Sequence, residues 1–416
     1  MAEIRTPEEA DRERIVDLMR ISFNVPPAWV RHIAPRIQLD RFLCAYEDAR
    51  IVAMAQAWDL AQWFGGRAQP MAGIAAVAAV PERRSTGLAP EVLVALLRRC
   101  RENGASISSL YPSRVSVYRR LGYEYAGLLI QYRMPFADLP AVPAQGIEEL
   151  DESELDGVRA CYRRFAALQT GMVDSEDEDW WRLRVIRRWN PDVSSRAVVV
   201  RGPDGGIDGY ACFQLETLAD TWGYRITCSH FVACSAAAMS SLLGYFRSFR
   251  GLGQVLAWYG PPNEPLGLLV GGGAETLQPA RAIRSMTRLL DVPRALEARG
   301  YPEVSGAATI AVRDELFPEN QGPFRILAEE GRVKVERIEG RLAGGRAASA
   351  SSGTTGTAGA MGSPTPIPIG ALSALFTGYA TPADLVRVGL VARDDPSLPF
   401  LARLFAGPTP WMTDFF

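Results

Sequence analysis

Lysine is almost missing from this chain: of its 45 basic residues only Lys334 is not arginine. Histidine is nearly as scarce, with His32 and His230 the only two, so a mechanism that leans on imidazole has few candidates. His230 lies in the strand-like run CSHFVAC and reads as a core histidine with its bonds satisfied. Charge of either sign is not in excess, the net balance being -2, and no basic stripe stands out. That argues against nucleic acid or an anionic membrane as partner. The six cysteines, Cys44, Cys100, Cys161, Cys212, Cys228 and Cys234, are scattered singly, mostly through apolar runs. They lack metal-type spacing and read as reduced core thiols, so no metal is expected. The opening MAEIRTPEEADRERIVDLMR is charged from its start; neither a signal peptide nor a membrane anchor is expected there, and the expected compartment is the cytoplasm. Two phosphate-binding signatures are missing as well. No Lys-Ser/Thr pair makes a P-loop, and Gly87 stands alone where a dinucleotide fingerprint needs several glycines.

What is present is ordinary globular composition over 416 residues, with 48% hydrophobic and 22% charged. That length implies two or three domains. The first third alternates helical and strand patterns: PEEADRERIVDLMRISF places apolar residues at helical period, ARIVAMAQAWDLAQWF and MAGIAAVAAV read as strands, and YEYAGLLIQYRMP closes a mixed α/β unit over residues 1–140. The run LPAVPAQG has linker composition. A second unit, 146–290, loosely repeats the element order, with a hairpin about PDGG and an amphipathic helix at SAAAMSSLLGYFRSFRGLG. A third, 291–416, contains a Gly, Ala, Ser and Thr stretch at 340–366 that reads as a flexible insertion. It ends on PTPWMTDFF, whose aromatic and sulfur side chains argue for a docked terminus.

The stretch VAAVPERRSTGLAP, residues 77–90, carries the chemistry. A small apolar strand, a tight turn and a helix start in that order aim backbone N–H groups and a helix N-terminus at one spot, which suits phosphate. This stretch resembles the coenzyme A signature of the GNAT acetyltransferases, Arg/Gln-x-x-Gly-x-Gly/Ala, met here by Arg84, Gly87 and Ala89. It is joined by SLYPSRVSVYRRLGYE, with Tyr118 ahead of a Gly-Tyr pair, by DVPRALEARGYP, and by the C-terminal phenylalanine. Together they resemble the Eis (enhanced intracellular survival) family over the whole chain. The resemblance implies tandem GNAT-like mixed-sheet domains, the second lacking the coenzyme loop, followed by a domain like sterol carrier protein. It also implies acetyl-CoA as donor, an amine of a small molecule or a lysine side chain as acceptor, and a homo-oligomer, often a hexamer.

By that resemblance, Arg84, Ser85, Thr86, Gly87, Leu88, Ala89 and Pro90 would hold the pyrophosphate. The backbone of Val77, Ala78 and Ala79 would pair with the pantetheine arm, and Ser113 and Arg114 would add coenzyme contacts. Tyr118 would be the acid: a phenol of pKa about 10 stays protonated beside a leaving thiolate whose conjugate acid is near about 8.5. The base would be the Phe416 α-carboxylate, acting once the attacking nitrogen has become acidic or through a water. Around the acceptor, Phe23 and Trp29 would form aromatic walls, with Val25 and Phe415 apolar where aminoglycoside-modifying members carry acids, and Asp414 a nearby carboxylate. An aminoglycoside is therefore less expected than a less charged amine. A catalytically idle acyl-CoA sensor and a lipid-binding protein are the alternatives.

Overall fold

The computed structural model describes residues 2–25, 30, 34–185, 195–218, 222–271, 273, 276–338 and 366–416. Trp29, His32 and positions 340–365 of the expected insertion lie outside them. Its last position, Pro366, already belongs to a strand.

The first unit opens with β1 (Glu3–Arg5), helix α1 (Arg12–Phe23), and strands β2 (Phe42–Glu47), β3 (Arg50–Phe64) and β4 (Arg67–Ala79). Helix α2 (Leu88–Glu102), β5 (Ile107–Leu110), the short α3 (Val115–Arg120) and β6 (Glu124–Pro135) follow. In α2 the buried residues Leu88, Val92, Leu93, Leu96, Leu97 and Cys100 recur at helical spacing and face the sheet. Each large apolar side chain hidden this way contributes about 1.5–3 kcal/mol. The second unit repeats the series as β7 (Ile147–Glu149), α4 (Leu155–Ala167), β8 (Val173–Asp174), α5 (Glu178–Val185), β9 (Ser195–Arg201), β10 (Ile207–Thr217), β11 (Tyr224–Ala233), α6 (Ala236–Arg247), β12 (Gly253–Gly260) and β13 (Gln278–Leu289).

These strands form one continuous sheet in the order β1-β2-β3-β4-β5-β13-β6-β12-β11-β10-β9-β7, with β8 paired to β3. The order is a palindrome. Each half's last strand is exchanged: β13 lies between β5 and β6, and β6 lies between β13 and β12. Within each half the central pair is parallel, β4 with β5 and β11 with β12.

The third unit has α7 (Val292–Ala298), strands β14 (Gly306–Arg313), β15 (Gly322–Glu329), β16 (Arg332–Arg337) and β17 (Pro366–Pro368), then α8 (Ile369–Thr377), α9 (Pro382–Arg387) and α10 (Leu398–Leu404). The four strands pair as β16-β15-β14-β17. Helix α8 is hydrophobic around its circumference, as its place between the two sheets requires, and it packs on β13 and β6. A fully buried ion pair ties the units together: Arg288 on β13 donates to both oxygens of Asp314, at 2.8 and 2.6 Å, and to the Leu121 carbonyl. Asp314 also accepts from Asn320 Nδ2 and the backbone N–H of Leu316 and Phe317, so no lone pair of the carboxylate is wasted.

Candidate active site

Strand β4 runs beside β5 only from Met71 to Ile74, and then the two part. Among the described residues this leaves the β5-side edge of β4 without a strand partner from Ala75 onward. In the same place the β3–β4 register slips, Met54 facing Ala78 while Gln56 faces Ala75. The extra residue is a bulge at Ala76, whose φ of 49° is unusual for a residue with a side chain. Val77, Ala78 and Ala79 follow directly, so the stretch expected to meet the pantetheine arm is a bulged, open strand edge.

Beyond it, residues 81–87 form an exposed loop leading to α2. Ser85 and Gly87 take positive φ values of 65° and 92°, and Gly87 caps the helix with no side-chain bond to its N–H groups. Arg83 is turned back onto Glu47 at 2.6 Å, and Thr86 donates to the Arg83 carbonyl at 2.8 Å. Arg84, Ser85 and Thr86 are exposed, Leu88 is buried, and Ala89 and Pro90 are half-buried. An α-helix start left open in this way offers backbone donors and a positive dipole end to an anion.

Tyr118 sits on α3, buried in the cluster beneath α2, with its ring edge-on to Tyr123 at 6.1 Å. Burial raises its pKa above the ordinary phenol value, and a hydrogen bond with the Ser113 side chain opposes the rise. Ser113 and Arg114 are both exposed at the start of this helix, Arg114 as its N-cap.

The C-terminal tail is held along its length. Leu128 on β6 donates to Pro410 and accepts from Met412, at 3.1 and 3.0 Å, while Trp411 donates to Thr170 at 2.9 Å. Gly171 shows how close the approach is: a Cβ there would stand 2.9 Å from the Trp411 carbonyl oxygen. Tyr111, just past the end of β5, donates to the Asp414 carbonyl at 2.9 Å, stacks on Phe415 at 4.6 Å and meets Phe416 edge-on at 5.9 Å. The Phe416 ring lies against Gly73 on β4, where a Cβ would come within 3.1 Å of it. The chain thus ends against β4, three positions before the bulge.

Asp414, expected as a carboxylate near the acceptor, is already paired inside the protein. Its carboxylate is buried, accepts from Arg184 Nε at 2.7 Å, and lies 3.9 Å from His230 Nε2. Arg184 also rests 3.7 Å over the Trp180 ring. The charge is neutralised inside the protein, and breaking such a pair costs about 3–5 kcal/mol. His230 is the core histidine that its surroundings suggested, with Tyr210 Oη 2.9 Å from its Nδ1. Phe415 is 59% exposed and Phe23, at the end of α1, is 46% exposed. Val25 is half-buried one position past Asn24, which has left-handed φ.

Three contributors escape sequence reasoning: Tyr111, Arg184 and Gly73. Only Gly73 carried a signal, because a glycine inside a strand marks close approach of another group. Arg184 and Asp414 meet across 230 positions, which no local pattern reveals.

Comparison with known proteins agrees with this architecture. The family profiles for an acetyltransferase (GNAT) domain match residues 3–126 and again 171–289, and the profile for a sterol carrier protein domain matches 292–413. An uncharacterized N-acetyltransferase of Streptomyces griseus is 29% identical over 67% of this chain and 70% of its own length. N-acetyltransferase Eis of Mycobacterium tuberculosis is 26% identical over 69% of this chain and 71% of its own. The crystal structure of a GCN5-related N-acetyltransferase from Anabaena variabilis superposes with a TM-score of 0.86 at 25% identity, over 100% of both chains. Two GNAT halves sharing one sheet, with a sterol carrier protein domain behind them, make the chain similar to the Eis-named N-acetyltransferases and support an acetyltransferase of that kind.

Proposed function

We propose that this N-acetyltransferase takes its acetyl group from acetyl-CoA and passes it to an amine by direct attack, with Tyr118 as acid and the Phe416 α-carboxylate as base. The observation that carries the reading is the docked terminus, Phe416 against Gly73 and clamped by Tyr111 beside the bulged edge of β4. The open helix start at Gly87 supports pyrophosphate binding by Arg84–Pro90, and the free edge at Val77–Ala79 supports strand-like pairing with the pantetheine arm. A backbone N–H on that edge stabilises the negative charge that develops on the thioester oxygen, an electrostatic contribution that is large in such reactions.

Tyr118 is suited to protonate the departing thiolate because burial keeps its hydroxyl proton in place. The terminal carboxylate, with an ordinary pKa of about 3.5, is charged at neutral pH and takes the proton from the nitrogen after attack. Arg184 already neutralises Asp414, and Val25 and Phe415 are apolar. This favours a monoamine with an aromatic or apolar body over a polycationic aminoglycoside.

The test is thiol release from acetyl-CoA with untagged protein over a panel of arylalkylamines, lysine peptides and aminoglycosides. Amine-dependent release, strongest with the arylalkylamines, is the expected outcome. Acetyl-CoA binding without release under any amine would instead identify an acyl-CoA sensor, and the strongest release with aminoglycosides would overturn the acceptor assignment.

A further inference from the structure

We propose that Cys234 and Cys161 form a hydroperoxide-sensitive thiol pair, Cys234 being the residue that reacts and Cys161 the one that resolves it into a disulfide. The two are 73 positions apart in sequence, yet their Sγ atoms lie 3.6 Å from each other. Cys161 is on the inner face of α4, fully buried, while Cys234 follows the last residue of β11 and is half-buried. When protonated, the Cys234 thiol donates to the Cys161 carbonyl at 3.3 Å, which holds the two side chains on one line of approach until that proton is lost. Cys44, Cys100, Cys212 and Cys228 are buried, so Cys234 combines access from solvent with a partner thiol in contact.

The charged neighbours favour the same division of labour. Arg164 on α4 and Asp208 on β10 flank the pair, with the Arg164 guanidinium bonded to the Ile207 carbonyl at 2.7 Å. The hydrogen bond from Cys161, together with the Arg164 charge, lowers the Cys234 thiol below its ordinary value, and the same contact and burial push Cys161 up. A thiolate on the accessible sulfur and a thiol on the buried one is the arrangement a reacting and resolving pair needs.

The chemistry balances in two steps. The Cys234 thiolate attacks the outer oxygen of a hydroperoxide, the O–O bond breaks, and the alkoxide or hydroxide that leaves takes up a proton; Cys234 becomes a sulfenic acid. The Cys161 sulfur then displaces the sulfenic oxygen, which departs with the thiol proton as water, and an S–S bond closes. Two thiols are oxidised by two electrons, and the hydroperoxide is reduced. The link would fasten α4 to the end of β11, one residue from Tyr162, whose ring lies 5.0 Å from Trp181 and 6.0 Å from His230.

The experiment uses the whole protein exposed to stoichiometric hydrogen peroxide, alkylated and mapped by mass spectrometry without reduction. The expected product is a single Cys161–Cys234 linked peptide pair, removed by dithiothreitol, with a melting temperature several degrees above that of the reduced protein. Before oxidation, Cys234 should alkylate at pH 7 about tenfold faster than an ordinary thiol. In Cys161→Ser the sulfenic acid should persist on Cys234 and be trapped by dimedone. Peroxide that leaves both thiols free in the wild type, or that yields dimedone-labelled Cys234 there without a link, would overturn the pairing. The wild-type map decides this even if the variant fails to fold.

Discussion

The two halves of the large sheet are built to one plan and differ where strand meets helix. In the first, β4 and α2 are separated by the exposed loop ending at Gly87, and the helix start has no side-chain cap. In the second, β11 and α6 are joined by Cys234 and Ser235 alone. Ser235 accepts from the Ala238 N–H at 3.1 Å and donates to Asp208. Both halves keep a bulge in the preceding strand, at Ala76 and at Ser229. The bulge therefore belongs to the shared architecture. What separates the two halves is whether the helix end is left open, as the proposed coenzyme site requires, or closed by its own serine and a carboxylate that would repel phosphate.

The halves also differ after their fifth strands. The first has α3 with Tyr118, whereas the second has, among the described residues, a 3-10 turn, Pro265–Leu268, capped by Glu264 and exposing Leu268 and Leu269. Tyr118→Phe tests this asymmetry with the largest expected effect. It removes one hydroxyl and should lower kcat by about 10²- to 10³-fold with acetyl-CoA affinity intact. Because burial raises the Tyr118 pKa, the acid form persists through neutral pH. Any fall in kcat caused by its ionisation belongs above the ordinary phenol value of about 10. Retained turnover in the variant would mean that another donor protonates the thiolate.

The tail breaks the symmetry next, because its last ring lies against β4 of the first half alone. One extra residue after Phe416, or its deletion, moves the terminal charge by more than about 1 Å and should cost on the order of a hundredfold in single-turnover transfer. Acetyl-CoA affinity is the control and should hold. Phe416→Ala keeps a free carboxylate and should outperform the extended wild type. Equal rates for native, extended and truncated protein would remove the carboxylate from the mechanism.

Local pattern made much of this legible. The strand runs ARIVAMAQAWDLAQWF and YEYAGLLIQYRMP became β3 and β6, the PDGG turn became the β9–β10 hairpin, and the Gly87 turn opens a helix. What local pattern could not reach was pairing across the halves. The apolar period of YEYAGLLIQYRMP fits a buried strand equally well beside β5 or between β13 and β12, and only the assembled sheet selects the latter. The same limit explains Asp414. Read along the chain it is an acid beside the acceptor, and only folding brings Arg184 to it.

Gly87→Val asks whether the open helix start binds the coenzyme. The position has φ of 92°, which a β-branched residue resists, although a Cβ there meets nothing nearer than Glu91 Oε1 at 3.9 Å. The protein itself would tolerate the volume, so the strain is in the backbone, roughly 1–3 kcal/mol. Relieving it rotates the N–H groups of the turn away from a shared focus. Acetyl-CoA affinity by calorimetry should weaken about tenfold, equivalent to about 1.4 kcal/mol. An unchanged affinity would put the pyrophosphate elsewhere.

Ser235→Ala is the matching change in the other half and carries the smallest effect. It deletes the side chain that caps α6 and one of the donors to Asp208, the other being Arg164, so stability should fall by about 1 kcal/mol. Acetyl-CoA affinity and kcat should stay as they are, because opening this helix start exposes N–H groups with Asp208 still beside them and no loop to wrap an anion. The paired result, binding lost with Gly87→Val and stability lost with Ser235→Ala, would assign the helix starts opposite roles: one kept open for a ligand, one closed for the fold. A drop in acetyl-CoA affinity in the Ser235 variant would show instead that the second half takes part in coenzyme binding, and the division between the halves would have to be drawn elsewhere.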